Sequence, residues 1–240
     1  MRHDMAWRCS ATTNSGLVDN LASSGFLTTP RVISAFKATD RAHFSPRKPY
    51  DDAPQYLGFG ATISAPHMHA ASIESLAQYL QPGASVLDIG SGSGYLLAIM
   101  TKLVMPGGRV CGIEHVKELN DAAVKRFIAS EGQMGQELID NGSVIFHCGD
   151  GRDGWPDHDL KFDAIHVGAA IPVVPEPLIQ ILKAPGKMFI PVGGVGENQY
   201  IYEIAKDSKG KITHDQKFGV SYVPLSDAGY YYSRGDRLVE

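Results

Sequence analysis

From residue 85 onward the chain alternates strand-sized apolar runs with amphipathic stretches, and this alternation constrains the fold more than any other feature. The runs are "SVLDIG" (85–90), "GRVCGIEH" (108–115), "SVIFHCGDG" (143–151), "FDAIHVGAA" (162–170) and "KMFIPVG" (187–193). Strands that recur with crossover segments between them pair in parallel, so the pattern predicts an α/β fold with a doubly wound, mostly parallel sheet. After them, "NQYIYEIAKD", the turn "DSKGK" and "ITHDQKFGVSYVPL" predict an antiparallel C-terminal hairpin closing one sheet edge.

The first sixty residues read differently. "LVDNLASSGFL" (17–27) carries an apolar helical face, and "TTPRVISAFKATD" (28–40) offers Thr29 as an N-cap, Pro30 in the first helical position and Val32, Ile33 and Phe36 as a stripe. "SPRKPYDDAPQYLGFG" (45–60) is rich in Pro, Asp and Gly and is expected to be a long ordered loop. No repeat or linker interrupts the chain. It is therefore expected to form a single domain, 1–240, with an N-terminal helical and loop layer (1–60), a ligand-binding core (61–195) and a C-terminal hairpin with its tail (196–240).

Bulk composition excludes several classes. The 22 Lys and Arg against 26 Asp and Glu give a formal charge of -4 without long runs of either sign, so a nucleic-acid partner is not expected. Three cysteines, Cys9, Cys111 and Cys148, without a C-x-x-C pair suggest neither a disulfide framework nor a zinc cluster. The start "MRHDMAWRCSATTNSG" has no apolar core and no apolar run approaches the ~18 residues of a membrane span. A soluble, cytosolic protein with no membrane association and no metal is expected.

"VLDIGSGSGYL" places Asp88 at the end of a strand, then Gly90, Gly92 and Gly94, then the start of a helix. Glycines there let the backbone turn sharply and approach a ligand at the carboxyl end of the first strand. Position 95 is tyrosine, so the run is G-x-G-x-G and not the dinucleotide fingerprint G-x-G-x-x-G. This spacing favours S-adenosyl-L-methionine over NAD. That cofactor has no pyrophosphate to set on a helix N-terminus, and its ammonium suits a carboxylate such as Asp88. Glu114, 20 residues beyond Gly94 at the end of the second strand, suits the ribose hydroxyls. His115 then falls on the adenine side, and Asp150 and Gly151, ending the third strand, are placed for the adenine amino group.

"ATISAPHMHA" (61–70) precedes a helix expected from Pro66, with Ser64 or Ala65 as its cap and Ile73, Leu76, Ala77 and Leu80 as its buried stripe. Ser64 has two readings: a plain N-cap contributing about 1 kcal/mol, or a hydroxyl that holds a carboxylate at the positive end of a helix. His67 and His69, two positions apart, point roughly 200° away from one another and do not make a metal pair. His43, His147 and His166 read as packing or loop histidines.

These stretches, together with "MAWR", "ATDRAHFSP", "PYDDAPQ", "GDGR", "DAIHVGAA", "FIPVGG" and "GVSYVPLSD", resemble the protein-L-isoaspartate (D-aspartate) O-methyltransferases across nearly the whole chain. The resemblance implies a class I S-adenosylmethionine-dependent methyltransferase, a Rossmann-like sheet with added N-terminal helices. It implies transfer of a methyl group to the free carboxylate of L-isoaspartyl and D-aspartyl residues in damaged proteins and peptides, with S-adenosyl-L-homocysteine as product and repair through a succinimide. Carried over position by position, it makes Ser64 the active-site serine. It also makes Ala61, Thr62, Ile63, Ser64, His69, Ile89, Gly90, Ser91, Gly92, Ser93, Glu114, His115, Asp150, Gly151 and Ser226 cofactor contacts. A monomer is expected. The chain departs from the family at "LKAPGK" and at Ser226, which keeps the hydroxyl of a commoner threonine.

Such an acceptor is already ionised at neutral pH and needs no general base, which fits the absence of a visible triad. "SYVPL" (221–225), interrupted by Pro224, is the expected edge along which an extended peptide would pair. Asn141-Gly142 is a sequence prone to succinimide formation, so the protein is expected to accumulate isoaspartate itself and to methylate it slowly. Competing readings, a small-molecule or RNA methyltransferase and a non-catalytic cofactor-binding regulator, lack an acidic metal cluster, a basic aromatic surface or a broken glycine loop to support them.

Overall fold

A computed structural model describes residues 9–225 and 237–239. Helices α1 (Asn14–Ser23) and α2 (Pro30–Lys37) come first, followed by strands β1 (Gln55–Gly58) and β2 (Ala61–Ile63) and helix α3 (Pro66–Leu76). The core then runs β3 (Ser85–Ile89), α4 (Tyr95–Val104), β4 (Arg109–Glu114), α5 (Lys117–Asp140), β5 (Val144–Cys148), β6 (Phe162–Val167), α6 (Glu176–Ile181) and β7 (Leu182–Val192). β8 (Gln199–Lys206) and β9 (Ile212–Val220) form the closing hairpin. α5 is two helical pieces meeting at Gly132, whose φ of 63° and ψ of -144° no helix contains.

One sheet has the order β5-β4-β3-β6-β7-β8-β9, parallel from β5 through β7 and antiparallel for the last two strands. The expected strands and the hairpin are all present. Chain order reverses between β3 and β6, and the crevice outside their carboxyl ends is the place where open α/β sheets bind ligands. Period-two alternation divides the core. Val86 and Ala164 face a cluster with Leu17, Phe36, Phe44, Tyr95 and Phe127, whereas Leu87 and Ile165 face one with Trp155, Phe162, Leu178 and Ile190.

Three local differences from the expectations have physical causes. Thr29 precedes α2 but does not cap it with its side chain; its N–H and hydroxyl both donate to Glu74 Oε1, at 2.9 and 2.5 Å, and so join α2 to α3. The segment 45–60, expected as a loop, ends in the β1–β2 hairpin. Its turn uses Gly58, Phe59 and Gly60, all at positive φ, and Gly58 also pairs with distant Leu238, a contact no local pattern carries. β7 starts five residues earlier than the apolar run suggests, because "LKAPGK" is absorbed as an irregular strand segment with a register shift opposite Phe162 and Ala164. Among the described residues no helix is long and apolar enough to cross a membrane.

Candidate active site

The glycine loop between β3 and α4 closes the crevice. Gly90, Gly92 and Gly94 have φ of 71°, 50° and 82°, the left-handed region open to residues without a Cβ. The loop is stitched to β4: Gly90 and Ser91 donate their N–H groups to the Ile113 carbonyl, at 2.9 and 3.1 Å, and Gly92 N–H donates to Glu114 Oε2 at 3.1 Å. A pocket at the β3 and β6 ends gathers Thr62, Ile63, Ser64, His69, Asp88, Gly90, Ser91, Gly92 and Ser93 of the expected set. It adds Tyr95, Leu96, His166 and Gly168, which were not expected. Ala61 and Ile89 flank it in β2 and β3. Glu114 and His115 lie one strand further along and Asp150 and Gly151 two, outside the pocket but joined to it through Gly92 and Ile89.

Each acid is already oriented. Asp88 and His166 sit opposite each other on β3 and β6, both buried, with His166 Nδ1 2.6 Å from Asp88 Oδ1. Glu114 accepts from Gly92 N–H on one oxygen and from Val116 N–H on the other, at 3.1 Å each. Burial pushes its carboxyl above the usual range, and those N–H bonds oppose the shift. Asp150 takes the Arg152 side chain on both oxygens, and that pairing holds it below the usual range. Ser91 Oγ is buried without a hydrogen-bond partner.

Ser64 is not a helix cap. Ala65 occupies the N-cap of α3 and makes no side-chain cap bond; Asp52 Oδ1 accepts the His67 N–H at 3.0 Å instead. The Ser64 carbonyl accepts from Arg41 Nη2 at 2.7 Å, and its side chain neighbours the Tyr222 phenol. His67 and His69 diverge as the spacing predicts: His67 Nδ1 is 2.8 Å from Asp52, whereas His69 Nδ1 is 3.1 Å from Arg41 Nη1. A half-buried serine hydroxyl beside a strand-end glycine loop, two buried carboxylates and an unpartnered serine suit a cationic ligand rich in hydroxyls.

The family model of protein-L-isoaspartate(D-aspartate) O-methyltransferase matches residues 12–229. The chain belongs to this family. It is 44% identical over 219 residues to the protein-L-isoaspartate O-methyltransferase of Triticum aestivum, covering 90% of this chain and 93% of that one. It is 43% identical over 230 residues to the enzyme of that name from Caenorhabditis elegans, covering 96% and 100%. A Plasmodium falciparum protein assigned the same activity and solved with S-adenosyl-L-homocysteine superposes with a TM-score of 0.81 at 33% identity, covering 90% of this chain and 99% of that one. The sheet and its flanking helices are thus the Rossmann-like class I methyltransferase fold.

Within this family frame, one expectation is corrected and two residues emerge that the sequence hid. "SYVPL" is not an open edge: Ala170 N–H donates to Val223 O, Leu225 N–H donates to Ala170 O, and Gln199 holds both the N–H and the carbonyl of Tyr222. Those main-chain groups serve the protein's own fold, which leaves the Tyr222 side chain as the part of the segment turned to Ser64. Arg41, fully buried with its guanidinium over the Tyr95 ring at 5.1 Å, reads in sequence as an ordinary charged residue in "ATDRAH". Only the burial of its neighbours, a tertiary property, gives it away. Ser226 lies outside the described residues.

Proposed function

We infer that this protein transfers a methyl group from S-adenosyl-L-methionine to the free carboxylate of L-isoaspartyl and D-aspartyl residues in damaged proteins and peptides, beginning their repair through a succinimide. The observation that carries the reading is Ser64: its hydroxyl is off the helix cap, half-buried, and shares one pocket with the glycine loop and Asp88. The pocket suits the cofactor because positive-φ glycines leave room for close backbone approach and Ser91 Oγ waits for a partner. When bound, S-adenosyl-L-methionine supplies an electrophilic methyl on a sulfonium.

The chain's own residues do the rest. Asp88, with Oδ1 fixed by His166, offers Oδ2 to an ammonium. Glu114, Ile89 and the loop Gly90 to Ser93 hold the ribose side, Glu114 offering a carboxylate already oriented by backbone N–H groups. His115, Asp150 and Gly151 frame the adenine, and Ala61, Thr62, Ile63 and His69 form the opposite wall.

The acceptor carboxylate, with a pKa near 4, arrives ionised, so no residue must remove a proton. Ser64 orients it with one hydrogen bond; a stronger anion site would weaken it as a nucleophile. Orientation of this kind is worth up to about 7–11 kcal/mol, and the buried lining keeps out water that would stabilise the separated charges.

Paired synthetic peptides, identical except for Asp or isoAsp, test the reading with a labelled methyl donor. Base-labile label on the isoAsp peptide alone is expected; equal label on both, or none, refutes it. Ser64→Ala should lower turnover roughly ten- to a hundredfold. A hydroxyl off the helix cap contributes at most about 1 kcal/mol, so the variant's Tm should fall by no more than about 2–4 °C. The same reading takes residues 1–240 as one methyltransferase domain acting as a cytosolic monomer without a nucleic-acid partner; sedimentation and cell fractionation check it.

A further inference from the structure

Arg41 is wholly buried, and none of the ion pairs among the described residues includes it. Its Nε has no hydrogen-bond partner. Asp52 attracts it only from a distance, and one Asp52 oxygen is already held by the His67 N–H and ring. The guanidinium is nonetheless fixed in place. Arg41 N–H donates to Asn14 Oδ1 at 3.3 Å, Asn14 Nδ2 donates to Phe36 O at 3.0 Å, and the Tyr95 ring lies beneath. The N-terminal helices thus anchor a cation behind the pocket wall.

We propose that Arg41 is a positioning residue of this pocket: it holds the Ser64 carbonyl and fixes His69 as the tautomer protonated on Nε2, so that the pocket presents an N–H donor to a carboxylate oxygen. Arginine only donates hydrogen bonds, so His69 Nδ1, 3.1 Å from Arg41 Nη1, must be the acceptor and carry no proton. A neutral imidazole then has its proton on Nε2. Burial, reinforced by the nearby guanidinium, holds the His69 pKa well below its ordinary value and keeps the ring neutral. The second pocket histidine is held in the opposite sense, since His166 Nδ1 faces the Asp88 carboxylate. A lysine at 41 would be a point charge unable to bridge Ser64 O and His69 Nδ1 together.

The carboxylate that takes the donor belongs either to the peptide acceptor or to the amino-acid part of the cofactor; that part of the inference rests on the proposed reaction, whereas the tautomer does not. Nitrogen-15 NMR of the histidine rings in the wild-type protein tests the tautomer directly, with the His69 signals assigned through His69→Asn. A bare Nδ1 and a protonated Nε2 from about pH 6 to 8 are expected; a protonated Nδ1 on His69 overturns the proposal. His69→Asn keeps an acceptor for Arg41 but removes the pocket donor, and His69→Gln restores a donor near Nε2. We expect Arg41→Lys and His69→Asn each to lose about a hundredfold in kcat/KM, with His69→Gln recovering part of it. A weaker Kd for S-adenosyl-L-homocysteine in both assigns the carboxylate to the cofactor; a raised peptide KM at unchanged Kd assigns it to the acceptor; neither change overturns the proposal. Should the wild-type protein show the tautomer yet fail to methylate an isoAsp peptide, the reaction is wrong and the role of Arg41 toward His69 stands.

Discussion

Gly151→Ala puts one methyl group into the joint between the third strand end and the first. A Cβ at Gly151 would lie 2.3 Å from Ile89 Cγ2 and 3.3 Å from Ile113 Cγ2. Carbon atoms settle at about 3.5–4.0 Å, so Ile89 must retreat by more than about 1 Å. It has little room: it is fully buried, ends β3, and its carbonyl accepts the Gly168 N–H at 2.7 Å. Overpacking of this kind costs about 1–3 kcal/mol. For a chain of this length that is a Tm lowered by roughly 2–12 °C. The displacement passes directly to Gly90, so affinity for S-adenosyl-L-homocysteine should fall by tenfold or more, a misplacement of about 1 Å being worth as much as a hundredfold. Thermal unfolding followed by circular dichroism and calorimetric titration with S-adenosyl-L-homocysteine measure the two effects. Gly25→Ala is the control: Gly25 has a φ of 77° and no heavy atom lies within 4 Å of where an added methyl would sit, so it should lose about 1–2 kcal/mol of stability and no affinity. A Gly151→Ala protein that melts within about 1 °C of wild type and binds the ligand equally well would refute the packing argument.

Glu114→Gln can accept on only one side, so either Gly92 or Val116 loses the partner of a buried N–H, at about 1–3 kcal/mol, and S-adenosyl-L-homocysteine binding should weaken at least tenfold by titration. Because burial raises the Glu114 pKa, its contribution to stability is greatest below the unfolded carboxyl value and declines as pH rises through the folded one. The Tm gap between wild type and Glu114→Gln should therefore narrow from about pH 4 to pH 7, and a widening gap would reverse the assignment. Burial pushes the Cys111 thiol up to about 12 and also raises Cys9, while Cys148 is exposed with a thiol raised chiefly by partial burial. Mass spectrometry after alkylation near neutral pH should find slow modification of Cys148 alone until the protein unfolds. Asn141, exposed at the end of α5, should convert slowly to isoaspartate and become a methyl acceptor on ageing. Its amide oxygen accepts the Ser143 N–H and the Gly142 N–H is held by Ile139 O, so conversion should quicken in urea; an intact Asn141 in an aged sample would end the idea.

The parts of this protein legible in its residues are those whose physics is local. Apolar alternation marks the strands, and the G-x-G-x-G run with its acids marks the cofactor loop, because side-chain period follows backbone geometry and positive φ favours glycine. The choice between a plain cap and a ligand-holding serine at position 64 was not local. It depends on groups further back in the chain: with Ala65 in the cap position, Asp52 takes the His67 N–H at the start of α3 and Arg41 holds the Ser64 carbonyl. The bridge from Gly58 to Leu238 was hidden for the same reason, the two being remote in sequence, and so was the closed state of "SYVPL". Arg41 is the clearest case. Nothing in "ATDRAH" distinguishes it from a solvated arginine, and only the packing of α1, α2 and Tyr95 around it removes the water and turns a charged side chain toward the pocket. Burial is a property of the whole fold, and tertiary structure therefore decided which titratable groups face the chemistry and which partners fix them.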